Sequence, residues 1–209
     1  MLSLSLFCSS QTISVAIFEK QKLKHIFKKN FLDNRTEGIF EILKECSYNY
    51  DLKALSYIYL CNGPGSFTAL RSLKAIAQAL SISSGAKIVF GTSFAPFFPM
   101  INKEEKTLVC FEGTKKTLFF QLFEKRKTMF FPFEDLKFGK EEHFKKYYKE
   151  KKEVNKNLAL ITSYRFKKIK INEPKVYYKE IDASMLAKAI FLGYGIKDDK
   201  IFYHNTYYE

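Results

Sequence analysis

Apolar and polar residues alternate with a period of two at the start of the chain and again from Lys22. Leu2, Leu4 and Leu6 are separated by Ser3 and Ser5, which predicts a β-strand. Thr12 to Phe18 is a second β-rich run, with Ser9, Ser10 and Gln11 as the turn before it. Lys22 to Phe31 alternates again through Leu23, His25 and Phe27. Three short strands in series predict an antiparallel meander.

The period then becomes helical. From Asp33-Asn34 onward, Ile39, Ile42, Leu43 and Cys46 fall on one helix face. Leu55 to Cys61 is a continuous apolar run, as in a buried strand. Asn62-Gly63-Pro64-Gly65 breaks it, and Ser66 or Thr68 can cap a helix running to about Ser81. Ala86 to Phe90 reads as a further strand. The order is β-β-β-α-β-α-β.

A second lobe is expected from Asn102. Thr107 to Phe111 and Thr117 to Phe123 form a hairpin pattern around Gly113, and Lys127 to Phe133 follows. Lys140 to Asn157 is heavily charged and reads as a solvated helix, with a mobile insert as the alternative. Short strands are expected at Leu158 to Thr162 and Val176 to Tyr178. Asp182 caps a helix from Ala183 to Leu192, closed by Gly193. The aromatic tail from Ile201 to Glu209 has an extended pattern. The expected division is residues 1–101 and 102–209.

Composition narrows the classes. A 209-residue chain that is 46% hydrophobic can bury a sizeable core. The net charge of +13 allows an acidic partner or nucleic acid. The cations are mostly lysines; the arginines are Arg35, Arg71, Arg126 and Arg165. Lysine, phenylalanine, tyrosine, isoleucine and asparagine are all abundant, as A+T-rich coding alone would produce. Compositional bias and an RNA-facing patch both remain open. Cys8, Cys46, Cys61 and Cys110 are far apart, so no zinc framework is implied and a reduced, cytoplasmic thiol state is expected. The first basic residue is Lys20, so a signal peptide is not expected. No apolar run reaches transmembrane length, and no membrane association is expected.

The candidate site begins at the break after the buried strand. Gly63 and Gly65 permit backbone angles that other residues avoid, and Pro64 stiffens the turn. The amides that open the next helix favour an anion, with Ser66, Thr68 and Arg71 nearby. A tight turn that merely starts a helix is the plainer reading. The segment is neither a Walker loop nor a dinucleotide fingerprint.

Gly63 to Arg71, GPGSFTALR, closely resembles the GPGSFTGLR signature of the TsaB (YeaZ) family. Weaker matches agree with it in order. Ser14-Val15-Ala16-Ile17 is similar to the family's opening, Gly91-Thr92-Ser93 to its Gly-Val-Ser, and Asp182-Ala183-Ser184 to its late helix. Phe202-Tyr203 falls at its terminal stretch. The resemblance implies the α/β fold of the actin, sugar kinase and Hsp70 ATPase superfamily, RNase H-like, with two lobes of mixed sheet flanked by helices. It implies a non-catalytic subunit of the complex that makes threonylcarbamoyladenosine in tRNA. Its partners would be a TsaD-type transferase and a TsaE-type ATPase, with tRNA met indirectly; a homodimer is the alternative assembly.

Departures from the family bear on chemistry. Phe7 and Cys8 stand where the family has Asp-Thr, and Phe7 offers no ligand oxygen for a metal. Ala69 replaces a signature glycine. Glu112-Gly113-Thr114, followed by Lys115 and Lys116, replaces Asp-Ala-Arg, and His204 replaces a terminal arginine. No cofactor is expected. His25, His143 and His204 are scattered, so neither a metal site nor a catalytic base is predicted.

In the helix after the signature, Leu70, Leu73, Ile76, Ala77 and Leu80 form an apolar arc that should face the sheet. Ser72, Ala75 and Ala79 form a small-residue face able to take a partner helix or this chain's own first helix. The resemblance implies pairing with the transferase through both helices. That puts Ile39, Leu43 and Cys46 of the first and Ser72, Ala75 and Ala79 of the second at the interface. Two other functions are carried as alternatives. One is an ATP-binding enzyme of the same superfamily. The other is a basic RNA-binding module with Phe119-Phe120 and Phe130-Phe131 as stacking candidates.

Overall fold

A computed structural model describes residues 1–8, 12–30, 35–101, 106–113, 117–164 and 176–196, without the side chains of residues 35–37. The chain divides into two compact units: Met1–Pro99 with Asp182–Glu209, and Met100–Ile181.

The first unit is built on a six-stranded sheet. The meander is β1 (Leu2–Cys8), β2 (Thr12–Glu19) and β3 (Lys22–Asn30). Two further strands, β4 (Leu55–Cys61) and β5 (Lys87–Gly91), lie parallel to β1. The sheet order is β12-β5-β4-β1-β2-β3, where β12 is Gly195–Ile196, antiparallel to β5. Helices α1 (Arg35–Asn49) and α2 (Phe67–Ser84) are the crossovers. Ile39, Ile42 and Cys46 of α1 join Leu73, Ile76 and Ala77 of α2 in one core with Leu4, Leu6, Val15 and Ile58.

The serines of β1 sit differently from a solvated alternation. Ser3 and Ser5 are buried, on the face of the sheet that packs against α4 (Ala183–Ala189). Small side chains on both sides, with Ala183 and Ala187 also fully buried, let a short helix lie close on the sheet. This packing corrects the expected second lobe. From Asp182 onward the described chain returns to the first unit, because α4 buries its apolar side on β1 and β2 rather than on the second sheet.

The second unit has a sheet of order β11-β10-β6-β7-β8, with β9 also on β7. Its strands are β6 (Lys106–Glu112), β7 (Leu118–Arg126), β8 (Met129–Pro132), β9 (Lys137–Gly139), β10 (Ala159–Thr162) and β11 (Val176–Tyr178). The charged run forms α3 (Glu141–Val154). Glu141 and Glu142 open it and Lys151 and Lys152 close it, each suited to the helix dipole. Phe144, Tyr147 and Tyr148 anchor α3 on Leu108, Cys110, Phe120, Leu122 and Leu160. Glu134 accepts from the Tyr147 hydroxyl at 2.9 Å and pairs with Lys151. Burial pushes the Glu134 carboxyl up, but Lys151 and Tyr147 outweigh it and hold it below its ordinary value.

Three further expectations shift. Helix α2 continues past Ser81 to Ser84 and is closed by Gly85 at φ 72°. The strand β9 has no counterpart in the sequence pattern. The helix Ala183–Ala189 passes into a wider turn, Ile190–Tyr194, where Gly193 has φ 97°. The tail with Phe202, Tyr203 and His204, the turn at Ser9–Gln11 and residues Thr114, Lys115 and Lys116 lie outside the described residues. Among the described residues, no helix is long and apolar enough to cross a membrane.

Candidate functional site

Strand β4 ends in the signature loop, and backbone bonds brace the loop to the end of β5. The Asn62 amide donates to Gly91 O at 3.0 Å, and the Ser93 amide donates to Gly63 O at 2.8 Å. Below them, Cys61 Sγ and Ser93 Oγ share a hydrogen bond at 2.8 Å. Of the two glycines, only Gly63 adopts a positive φ, 112°. A Cβ on Gly65 would meet only Leu70, at 3.6 Å, an ordinary contact. The expectation that both glycines serve special backbone angles is thus corrected. Gly63→Ala is expected to destabilise the chain by about 1–3 kcal/mol, whereas Gly65→Ala stays within about 0.5 kcal/mol. Paired chemical-denaturation curves check this; equal losses for both would refute it.

Ser66 occupies the N-cap position of α2, but its hydroxyl makes no capping bond. Its carbonyl accepts from the Leu70 amide at 2.9 Å. Thr68 and Arg71 are exposed, and the Arg71 guanidinium lies 5.1 Å from the Phe67 ring. Arg71 therefore lies along the helix surface beside its own first turn.

The two helices separate the six expected interface residues. Ile39 is 1% exposed and Cys46 0%, and Leu43 packs partly buried against the same core. For Ile39 and Cys46 the interface expectation is corrected. The apolar spacing that selected them marks the side of α1 facing the sheet. Among the described residues of α1, the exposed large hydrophobic side chains are Phe40 and Tyr48, 57% and 74% accessible. On α2, Ala75 and Ala79 are exposed and Ser72 half-buried, with Ile82 farther along at 87%. Leu70, Leu73, Ile76 and Ala77 are buried, as the apolar arc requires.

Phe7 is buried, 2% exposed, at the end of β1. Beside it is an arrangement that sequence reading missed. The Ser14 hydroxyl accepts from the Ala183 amide at 2.9 Å and donates to Phe7 O at 3.4 Å. Asp182 caps α4 through the amides of Ser184 and Met185, at 2.8 and 3.3 Å. Its other oxygen meets Lys28 Nζ at 2.6 Å. Lysines in an alternating strand are common, so nothing in sequence singled out Lys28. Burial pushes the Asp182 carboxyl up, but Lys28 and Ser184 prevail and hold it below its ordinary value.

A carboxyl lowered by folding stabilises the fold above its unfolded value of about 4, and that contribution fades as the pH falls through the lowered value. Asp182→Ala is expected to cost about 1–2 kcal/mol at neutral pH, chiefly through the lost cap. Its deficit relative to the parent should shrink below about pH 4. Melting both proteins between pH 3 and 7 tests this; a deficit independent of pH would reject the ionised cap.

Three buried thiols, Cys46, Cys61 and Cys110, are not poised for nucleophilic work. Burial pushes Cys46 up to about 12 and Cys61 up to about 11, the latter partly offset by Ser93 and the Gly63 backbone. Burial likewise raises Cys110. Among the described residues, no group of three or more His, Cys, Asp or Glu is placed to hold a metal ion.

No protein-family model matches the chain. Over 129 residues it is 27% identical to "tRNA threonylcarbamoyladenosine biosynthesis protein TsaB" of Buchnera aphidicola subsp. Acyrthosiphon pisum. That stretch covers 59% of this chain and 58% of the curated relative, so the match spans little more than half of either. In three dimensions the chain is similar to YeaZ from Pseudomonas aeruginosa, at TM-score 0.65 and 11% identity, covering 93% of this chain and 94% of that one. It is also similar to an uncharacterized protein with similarity to peptidase YeaZ from Pseudomonas aeruginosa, at TM-score 0.60 and 12% identity, covering 96% and 98%. At such identities the likeness shows the fold. The fold is α/β, with two mixed sheets flanked by helices.

Proposed function

We infer, for a chain that resembles the TsaB (YeaZ) family in sequence and in fold, a role in making threonylcarbamoyladenosine in tRNA, as a non-catalytic subunit. In this reading it holds a TsaD-type transferase in its active form and helps assemble a TsaE-type ATPase. The transferase would move the threonylcarbamoyl group onto an adenosine beside the anticodon. This chain would supply surface, in the cytoplasm.

The observation that supports the reading most is the exposed small-residue face of α2. Ala75 and Ala79 lie one turn apart, solvent-facing, with half-buried Ser72 beside them. Small residues let a second helix approach to about 8 Å. Phe40 and Tyr48 on α1 and Ile82 on α2 add exposed apolar anchors on the same two helices. Packing of these helices into this chain's own core uses their other sides, so the exposed face remains for a partner.

An ATP-binding enzyme of the same superfamily is supported less. Phe7, buried at the end of β1, has no oxygen to place a metal, and the buried thiols are protonated. Co-expression with the same organism's TsaD-type protein, followed by size exclusion, tests the leading reading. One-to-one co-elution is expected. Separate elution with ATP and the TsaE-type protein present would withdraw the assignment and leave the fold.

A further inference from the structure

The charge of the chain is unevenly placed. Residues 100–181, the second unit, hold 21 Lys and Arg against 12 Asp and Glu, a net +9 of the chain's +13. Within that unit, aromatic rings and cations share one exposed area of sheet. Strand pairing sets Lys106 opposite Glu124 and Glu124 opposite Phe131, so the three point to the same face. Arg126, two residues along from Glu124, continues that face, and Phe133, just past the end of β8, reaches it by lying under Lys106. Phe133 is held there by its amide, which donates to Leu122 O at 2.9 Å.

Both rings are open to solvent, Phe131 and Phe133 each 44% exposed. Phe130, next to Phe131 in sequence, is buried, as are Phe119 and Phe120. Each exposed ring has a cation over one face, which leaves the other face for a base. Lys106 Nζ lies 3.9 Å from the Phe133 centroid, and the Arg126 guanidinium 5.9 Å from that of Phe131. Glu124 also lies on this face and is paired with Arg126 at 3.2 Å, which leaves Lys106 and the exposed Lys127 as cations for a ligand.

We propose that this face of the second unit, Phe131 and Phe133 with Lys106 and the nearby exposed Lys127, binds single-stranded RNA. Two exposed rings, one in β8 and one just past its end, present π-faces to unpaired bases. The flanking cations meet the phosphates between them. A duplex hides its base faces and cannot use the rings, and sequence preference is weak because every base has a π-face. An apolar partner or lipid would gain little from two rings set among charges. The choice of RNA over DNA rests on the tRNA role proposed above; the ring-and-cation argument does not.

The test uses the purified full-length chain and fluorescence anisotropy, with labelled 12-mer oligouridine and oligoadenosine, a 12-base-pair RNA duplex and a 12-mer DNA. Single-stranded RNA is expected to bind at least tenfold tighter than the duplex. Phe131→Ala with Phe133→Ala should weaken it by at least about 20-fold, and Phe131→Tyr with Phe133→Tyr should keep it within about threefold. Lys106→Ala should lower the slope of log affinity against log salt by about 0.7. Undiminished binding by the double alanine variant, with its circular dichroism unchanged, would overturn the proposal. So would absence of RNA binding by the parent at 0.1 M salt, or loss by the tyrosine pair equal to that by the alanine pair. Tighter binding to DNA than to RNA would overturn the choice of RNA. None of these readouts needs the transferase, so failure here and failure of the subunit role are distinguishable.

Discussion

Ala75→Arg is expected to abolish co-elution with a TsaD-type partner while leaving the chain's own melting temperature within about 2 °C. Ala75 is solvent-facing on α2, and nothing in the first unit's core depends on it. An exposed substitution away from caps and special backbone angles costs within about 0.5 kcal/mol. At a helix-to-helix contact the same change is severe. The guanidinium would stand where a partner backbone must come close, and a buried charge without a counter-ion opposes association. A loss of at least 100-fold in affinity, about 2.7 kcal/mol, is the expected size. Ala79→Arg should behave alike, one turn along. Leu43→Ala, from the core-facing side of α1, should reduce stability and complex together. Undisturbed co-elution of Ala75→Arg would mean that a partner, if any, uses another surface.

The second large effect lies in the second unit. Phe144→Ala is expected to destabilise it by about 3–5 kcal/mol. The ring is 0% exposed. It stands edge-on to Phe120 with centroids 5.3 Å apart and stacks on Tyr148 at 6.1 Å. Helix α3 is otherwise charged, with the sequence EEHFKKYYKEKKEV, so three aromatic residues supply its hold on the sheet. Truncating the largest fully buried one leaves a cavity that Tyr147 cannot close, because its hydroxyl is tied to Glu134. Urea unfolding followed by far-ultraviolet circular dichroism would register the change as an earlier transition for one unit. A loss below about 1 kcal/mol would show that α3 does not depend on this ring.

The candidate surface was only half legible before folding. Period-two and period-3.6 patterns located most elements, because each reports which side of a strand or helix meets apolar neighbours. They also separated Leu70, Leu73, Ile76 and Ala77, all buried, from exposed Ala75 and Ala79 on α2. The same pattern misplaced Ile39 and Cys46. A helical apolar stripe is equally suited to a core and to a partner, and only the position of α1 on the sheet chose the core. Phe131 was paired with Phe130 as a stacking candidate, yet adjacent strand residues face opposite ways, so one is buried and the other open. Phe133 and Lys106, separated by 27 positions, had no local signal linking them.

The sequence by itself determined the succession of strands and helices, the sharp break at Gly63, the cap at Asp182 and the family resemblance carried by GPGSFTALR. Each rests on neighbours within a few residues, where spacing and backbone preference act directly. Tertiary structure alone decided that Ser3 and Ser5 are buried beneath α4, that Asp182 meets Lys28 across 154 positions at 2.6 Å, and that the chain from Asp182 rejoins the first unit. It also decided which faces of α1, α2 and β8 stay open. Those outcomes depend on which distant element arrives to cover a face, and burial is settled by that arrival rather than by the residue's own character.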